Sequence, residues 1–200
     1  MIDIYTARIG EQLPPSVYGR YLHRLPLSLQ QRNGRYKRWQ DRHTHLLGKL
    51  LLLDGLKRYG YPDDCLEQLQ YNPFGRPFLP GAPDFNISHS GGLVVCALTP
   101  GGRLGIDCEK VRPLDFTTVR DVMSAAQWEE IYRAADPLRA FFRLWVIKES
   151  VAKAEEKGLN LCLPAIRVSG DRAFYEDSVW ELKEVEVGDG YLCYLAYGPA

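Results

Sequence analysis

The sequence predicts an α+β fold on three grounds. Leucines recurring at spacings of three and four mark one long helix from about Arg35 to Tyr59, and Asp136-Pro137 starts a second that runs to about Lys157. Strand-like runs set off by Gly and Pro turns follow each helix, at 93–109 and at 172–197. With 200 residues, 46% of them hydrophobic, the chain can bury one substantial core or two small fused ones, which excludes disordered and collagen-like classes.

Taken in order, residues 2–8 alternate as a short strand until Pro14-Pro15 interrupts them, and Pro26 and Asn33-Gly34 break the next segment. In the 35–59 helix, Trp39, Leu46, Leu47, Leu50, Leu51, Leu53 and Leu56 form the core-facing stripe, and Gly60 closes it. Pro73, Gly75, Pro77, Pro80, Gly81 and Pro83 make 71–84 a rigid loop. Leu93 to Leu98, the turn Thr99-Pro100-Gly101-Gly102 and Leu104 to Glu109 read as a hairpin. A helix from about Phe116 to Ala135 comes next. Asp136 then serves as N-cap, Pro137 as first helical residue and Gly158 as the left-handed residue after the last turn. Strands at 172–176, 179–187 and 191–197 close the chain as an antiparallel set. Helix followed by strands occurs twice, about one hundred residues apart, an order that suggests duplication without visible identity between the halves.

No basic and apolar leader opens the sequence, and apolar runs such as Leu50 to Leu53 are far below the roughly 18 residues that span a bilayer, so a cytoplasmic protein with no membrane partner is expected. Cys65, Cys96, Cys108, Cys162 and Cys193 form no C-x-x-C pair, which argues against a disulfide framework and a zinc site. Net charge is zero, yet residues 32–58 hold eight Lys and Arg against Asp41 and Asp54. Such a run is a solvated helix face, or a surface for nucleic acid, a phosphorylated small molecule or an acidic protein. Tyr36, Trp39 and Tyr59 near it form no RNA-binding or zinc-finger pattern, so no nucleic-acid partner is expected.

Chemistry concentrates in three places. Asp107 and Glu109 in Gly105-Ile106-Asp107-Cys108-Glu109 project to one face of a strand, and two adjacent carboxylates call for a cation. Trp145, Glu149 and Lys153 share a helix face; Glu149 and Lys153 alone would be an ordinary i,i+4 ion pair, but with Asp107 and Glu109 they offer three carboxylates suited to Mg²⁺ bound beside a substrate phosphate. Phe85-Asn86-Ile87-Ser88-His89-Ser90-Gly91-Gly92 is rich in groups that hold phosphate oxygens, or that cap a turn.

Together Phe85 to Ser90, Gly105 to Lys110 and Trp145 to Lys153 resemble, in order and interval, the three signature motifs of the 4′-phosphopantetheinyl transferases of the longer, Sfp-like type, and Phe74-Gly75-Arg76-Pro77 looks like that family's Gly-Lys-Pro loop with Arg replacing Lys. The resemblance implies a pseudo-dimer of two similar lobes, 1–103 and 104–200, each a small antiparallel sheet packed with a long helix, with the active site between them. It implies transfer of the phosphopantetheine arm of coenzyme A to a serine of an apo acyl or peptidyl carrier protein by a monomer, releasing adenosine 3′,5′-bisphosphate. Asp107, Glu109 and Glu149 would be the Mg²⁺ ligands, and Glu149 and Lys153 the catalytic groups. Lys153, and more weakly Lys148, would contact the phosphates. Asn86, Ser88, His89 and Arg35 would hold the 3′-phosphate or its ribose, and Tyr71, Phe74, Gly75 and Arg76 would line the adenine. Where some relatives carry an acid proposed as the base, the nearest match is Gln127, which accepts no proton; Glu129 and Glu130 point elsewhere on a helix. Other readings of the same carboxylates are a Mg²⁺-dependent hydrolase or nucleotidyl transferase, and a further reading is a silent carrier-binding module. For carrier docking the sequence offers the ridge Arg112 to Arg120 and the 116–135 helix.

Overall fold

The computed structural model describes residues 1–156 and 161–199, and these fall into two units, Met1–Gly101 and Gly102–Ala200. The first unit runs β1 (Asp3–Arg8), α1 (Pro15–Leu22), α2 (Leu27–Gly34), α3 (Trp39–Arg58), two short strands β2 (Gln70–Tyr71) and β3 (Pro77–Phe78), then β4 (Asp84–Ser90) and β5 (Leu93–Thr99). Its main sheet is antiparallel in the order β1-β5-β4, with Cys96 facing Tyr5 on one side and Ile87 on the other. β5 is buried along its whole length, which is why 93–98 reads as an unbroken apolar run. Leu46, Leu50, Leu53 and Leu56 of α3 join Phe85, Cys96 and Leu98 in one core.

The second unit runs β6 (Arg103–Lys110), a 3₁₀ segment (Phe116–Val122), α4 (Ala125–Arg133), α5 (Pro137–Ala154), a 3₁₀ turn (Leu163–Ala165), and β7 (Arg167–Ser169), β8 (Arg172–Tyr175), β9 (Ser178–Glu184) and β10 (Tyr191–Gly198). The sheet order is β6-β10-β9-β8-β7, again antiparallel. α5 packs on β6 and β10, and Phe141, Ile147 and Val151 share a core with Trp180, Leu192 and Ala196. The chain is therefore α+β, with small antiparallel sheets and long helices.

Several expectations change. Residues 93–98 and 104–109 are not a hairpin: β5 is taken by β1 and β4 on its two edges, β6 pairs with β10, and Pro100-Gly101-Gly102 is the passage from one unit to the next. The prolines separate elements as expected, Pro14-Pro15 lying after β1 and Pro26 between α1 and α2, and they also start helices, since Pro14 and Pro26 are N-caps and Pro15 is the first residue of α1. The 116–135 helix is broken at Val119 and restarts at Ser124, whose hydroxyl accepts from Gln127 N at 3.3 Å while Gln127 Oε1 accepts from Ser124 N at 3.0 Å. Phe85 to Ser90, the stretch rich in groups that hold phosphate oxygens or cap a turn, lies within strand β4. Asp136 caps α5 as predicted, accepting from Arg139 N at 2.9 Å. The helix ends at Ala154, with Glu156 at φ 61°; Lys157 and Gly158 lie outside the described residues.

Candidate active site

Gly105, Asp107 and Glu109 lie on one face of β6, and that face meets α5. The approach is close because position 105 lacks a side chain: a Cβ there would sit 2.0 Å from Ser150 O and 2.5 Å from Ala154 N. The helix backbone thus rests on the strand, and Lys153 reaches Asp107, its ammonium donating to Asp107 Oδ1 at 2.7 Å and to Ile106 O at 3.1 Å. Glu149, one turn earlier, is half-buried. Burial first, then the charges of Asp107 and Glu109, hold its carboxyl above the usual carboxylate range, against the pull of Lys153. Arg112 stands 3.7 Å from Glu109. Trp145 continues the face and stacks on Phe141 at 6.3 Å.

Glu149, whose proton affinity Asp107 and Glu109 raise, forms with them a set that carries the excess negative charge and the hard oxygen donors that suit Mg²⁺. Among the described residues, however, no three acidic, His or Cys side chains converge as a preformed metal site, and Lys153 holds Asp107 instead.

Lys148 is placed differently from its expected role. It is 0% exposed, and its ammonium donates to Val122 O at 3.1 Å, to Leu163 O at 2.9 Å and to Gln127 Oε1. Three acceptors use all three of its hydrogens, so it has none for a coenzyme. Gln127 is equally engaged, since its Nε2 donates to Ile166 O at 2.9 Å. Position 127 is a junction of the second unit's interior.

In the first unit, Tyr71 and Phe74 are exposed beside the short β2–β3 pair. Asn72, which the sequence reading passed over, shapes this turn: its Oδ1 accepts from both Phe74 N and Arg76 N at 2.9 Å, and Gly75 N donates to Asn72 O at 2.9 Å. Arg76 turns inward and bonds Asp84 at 2.7 and 2.8 Å, so its guanidinium ties the turn to β4 rather than reaching for a ligand. Ser88 and His89, expected to act together, project to opposite faces of β4. His89 lies opposite Val94 on the α3 side, while Asn86 and Ser88 are buried on the other face. Arg35 is exposed at the end of α2, and Arg32, one turn earlier, lies over the Tyr71 ring at 4.9 Å.

In the second unit a carboxylate strand meets an acid and lysine helix, an arrangement of the kind an α+β enzyme that handles phosphate would use. The family model described as the 4′-phosphopantetheinyl transferase superfamily matches residues 103–181. The chain is 32% identical over 171 residues to 4′-phosphopantetheinyl transferase Sfp of Bacillus subtilis (strain 168), covering 76% of this chain and 75% of that protein. It is 27% identical over 202 residues to 4′-phosphopantetheinyl transferase gsp of Aneurinibacillus migulanus, covering 96% and 84%. This chain belongs to the 4′-phosphopantetheinyl transferase superfamily.

Proposed function

We propose that this enzyme transfers the 4′-phosphopantetheine group of coenzyme A to a serine hydroxyl of an apo acyl or peptidyl carrier protein; the names of its relatives describe 4′-phosphopantetheinyl transfer for them. The observation that carries the reading is the meeting of Asp107 with Lys153, and of Glu149 with both acids, where α5 rests on β6. The serine oxygen attacks the phosphorus that bears the pantetheine arm, and adenosine 3′,5′-bisphosphate leaves with the bridging oxygen. Such a displacement is accelerated mainly by positioning and by neutralising charge. Glu149 accepts the serine proton, a role favoured by the burial and neighbouring anions that raise its affinity for one. Lys153 shares the charge of the diphosphate. Asp107, Glu109 and Glu149 would hold Mg²⁺, which when bound supplies further neutralisation of that diphosphate.

We assign the coenzyme's adenosine end to the first unit, with Tyr71, Phe74 and the backbone of Gly75 at the base and His89, Arg32 and Arg35 toward the ribose and 3′-phosphate; Asn86 and Ser88, buried on the opposite face of β4, support the strand instead. For the carrier, the surface on α4 where Tyr132 is 62% exposed beside Trp128, flanked by Arg120 and Arg133, suits an amphipathic acidic helix. The deciding experiment is incubation with coenzyme A, Mg²⁺ and apo carrier protein, followed by intact mass measurement. A gain of one phosphopantetheine on the carrier, lost in Asp107→Ala and Glu149→Ala, supports the reading. Coenzyme A cleaved by water with an unchanged carrier would make the enzyme a hydrolase.

A further inference from the structure

Asp107 already has a cation of the protein's own. Lys153 Nζ donates to Asp107 Oδ1 at 2.7 Å and to Ile106 O at 3.1 Å, so β6 holds this ammonium by a side chain and a main-chain carbonyl at once. The pair is sheltered, the Asp107 side chain being 8% exposed and that of Lys153 27%. Water and salt screen such a pair far less than a surface one. Glu149 stands one turn before Lys153 on the same face of α5, and the lysine's charge acts on it too. A single ammonium therefore serves acids on both the strand and the helix.

Glu109 is held differently. Arg112 stands 3.7 Å from it, and their side chains are 60% and 22% exposed. A long, solvent-facing contact of this kind contributes little and moves aside at little cost. Of the two protein cations beside the carboxylates, Lys153 is anchored and Arg112 is not. Two cations that share one carboxylate repel each other, and strongly where water is partly excluded. For Lys153 to share the charge of a diphosphate, its ammonium must also turn from Asp107 and Ile106 toward that anion, which the flexible lysine stem allows without movement of the backbone. A diphosphate resolves both conflicts, because it offers the ammonium another acceptor and brings negative charge between the two cations.

We propose that Lys153 is a built-in competitor of the divalent cation at Asp107: its ammonium holds Mg²⁺ affinity down until a diphosphate draws it away, so that metal and coenzyme are admitted together. The inference rests on the coenzyme A reading and deepens it, since Lys153 then links two binding events besides contacting the phosphates. Such coupling is reciprocal, and whatever the coenzyme does for the metal the metal does for the coenzyme.

Titration calorimetry of Mg²⁺ into the full chain without coenzyme tests it, on the wild-type protein, Lys153→Met and Lys153→Gln. Both variants remove the charge, and Lys153→Gln keeps an amide that can donate to Asp107, which guards against loss of the fold. Each should bind Mg²⁺ about tenfold or more tightly than wild type, the scale on which one nearby charge alters a sheltered carboxylate. Arg112→Gln, which removes the unanchored cation, should change Mg²⁺ affinity by less than about twofold. Coenzyme A should then tighten Mg²⁺ binding by the wild-type protein at least about fivefold more than by Lys153→Gln. Mg²⁺ affinity in the Lys153 variants that equals or falls below that of wild type overturns the inference and leaves the coenzyme A reading standing. Equal tightening in Arg112→Gln and Lys153→Gln also overturns it, since net charge alone would then account for the effect. Failure of the wild-type protein to bind coenzyme A, with Mg²⁺ or without, removes both readings.

Discussion

Lys49 on α3 and Lys148 on α5 are both buried lysines, and burial draws both ammonium groups down to a pKa of about 8. Lys148 is surrounded by Val122 O, Leu163 O and Gln127 Oε1, which join the 3₁₀ segment, α4 and the 163–165 turn to the helix. Lys49 has no acceptor among the described residues. Burial is therefore a poor guide to what a charged side chain does, and the state of its hydrogens is a better one. A saturated ammonium holds its own unit together, whereas one without a protein acceptor carries its desolvation cost with less to offset it.

The largest effect should come from Lys148→Met, which removes three hydrogen bonds of a buried ammonium at once and takes from Val122 O, Leu163 O and Gln127 Oε1 the donor they share. Denaturant unfolding should show a loss of about 3 kcal/mol or more, and a loss below about 1 kcal/mol would erase the contrast between the two lysines. Lys49→Met should move the other way, adding about 1–3 kcal/mol near pH 7, because it removes a desolvated charge and breaks no hydrogen bond. That gain depends on pH with a definite sign. The folded-state pKa of Lys49, about 8, lies below the usual 10.5, so below pH 8 both folded and unfolded chains carry the proton and the penalty is complete. Between these values the unfolded chain binds more protons and the wild-type protein gains stability as pH rises. Melting curves of wild type and Lys49→Met should therefore converge from about pH 7 toward about pH 10. The smallest effect is expected from Gln127→Glu. It gives Lys148 a counter-charge but removes the donor to Ile166 O, for a net change below about 1 kcal/mol and an unaltered transfer rate. A tenfold faster transfer would instead make position 127 part of the proton chemistry.

The sequence revealed features whose signals are local. The leucine stripe of α3, the Asp136-Pro137 start of α5 and the alternation that sets Asp107 and Glu109 on one side of β6 all follow from short-range geometry. Strand partners do not, and residues 93–109 looked like a hairpin because the competing edges lie far off, β1 at the start of the chain and β10 at its end. Prolines at 14, 15 and 26 were ambiguous between breaking a segment and starting a helix, and packing against α3 decided for the latter. Among the site residues, Lys148 could be assigned a helix face but not an interior network, and Arg76 could not be seen to have Asp84 within reach. Lys49 left a trace that went unused, since a lysine in a leucine stripe is out of place on any amphipathic helix.

The missing side chain at Gly105 is the gauge that sets the working gap between β6 and α5. A single methyl at that point would meet the carbonyl of Ser150 and the amide of Ala154 before any charged atom moved, and would wedge the acid strand away from the acid and lysine helix. Gly105→Ala alters no ionisable group and no ligand contact, yet it changes the spacing on which the chemistry depends. The reach of Lys153 to Asp107 is thus machined into the backbone, at a position that contributes no functional group of its own.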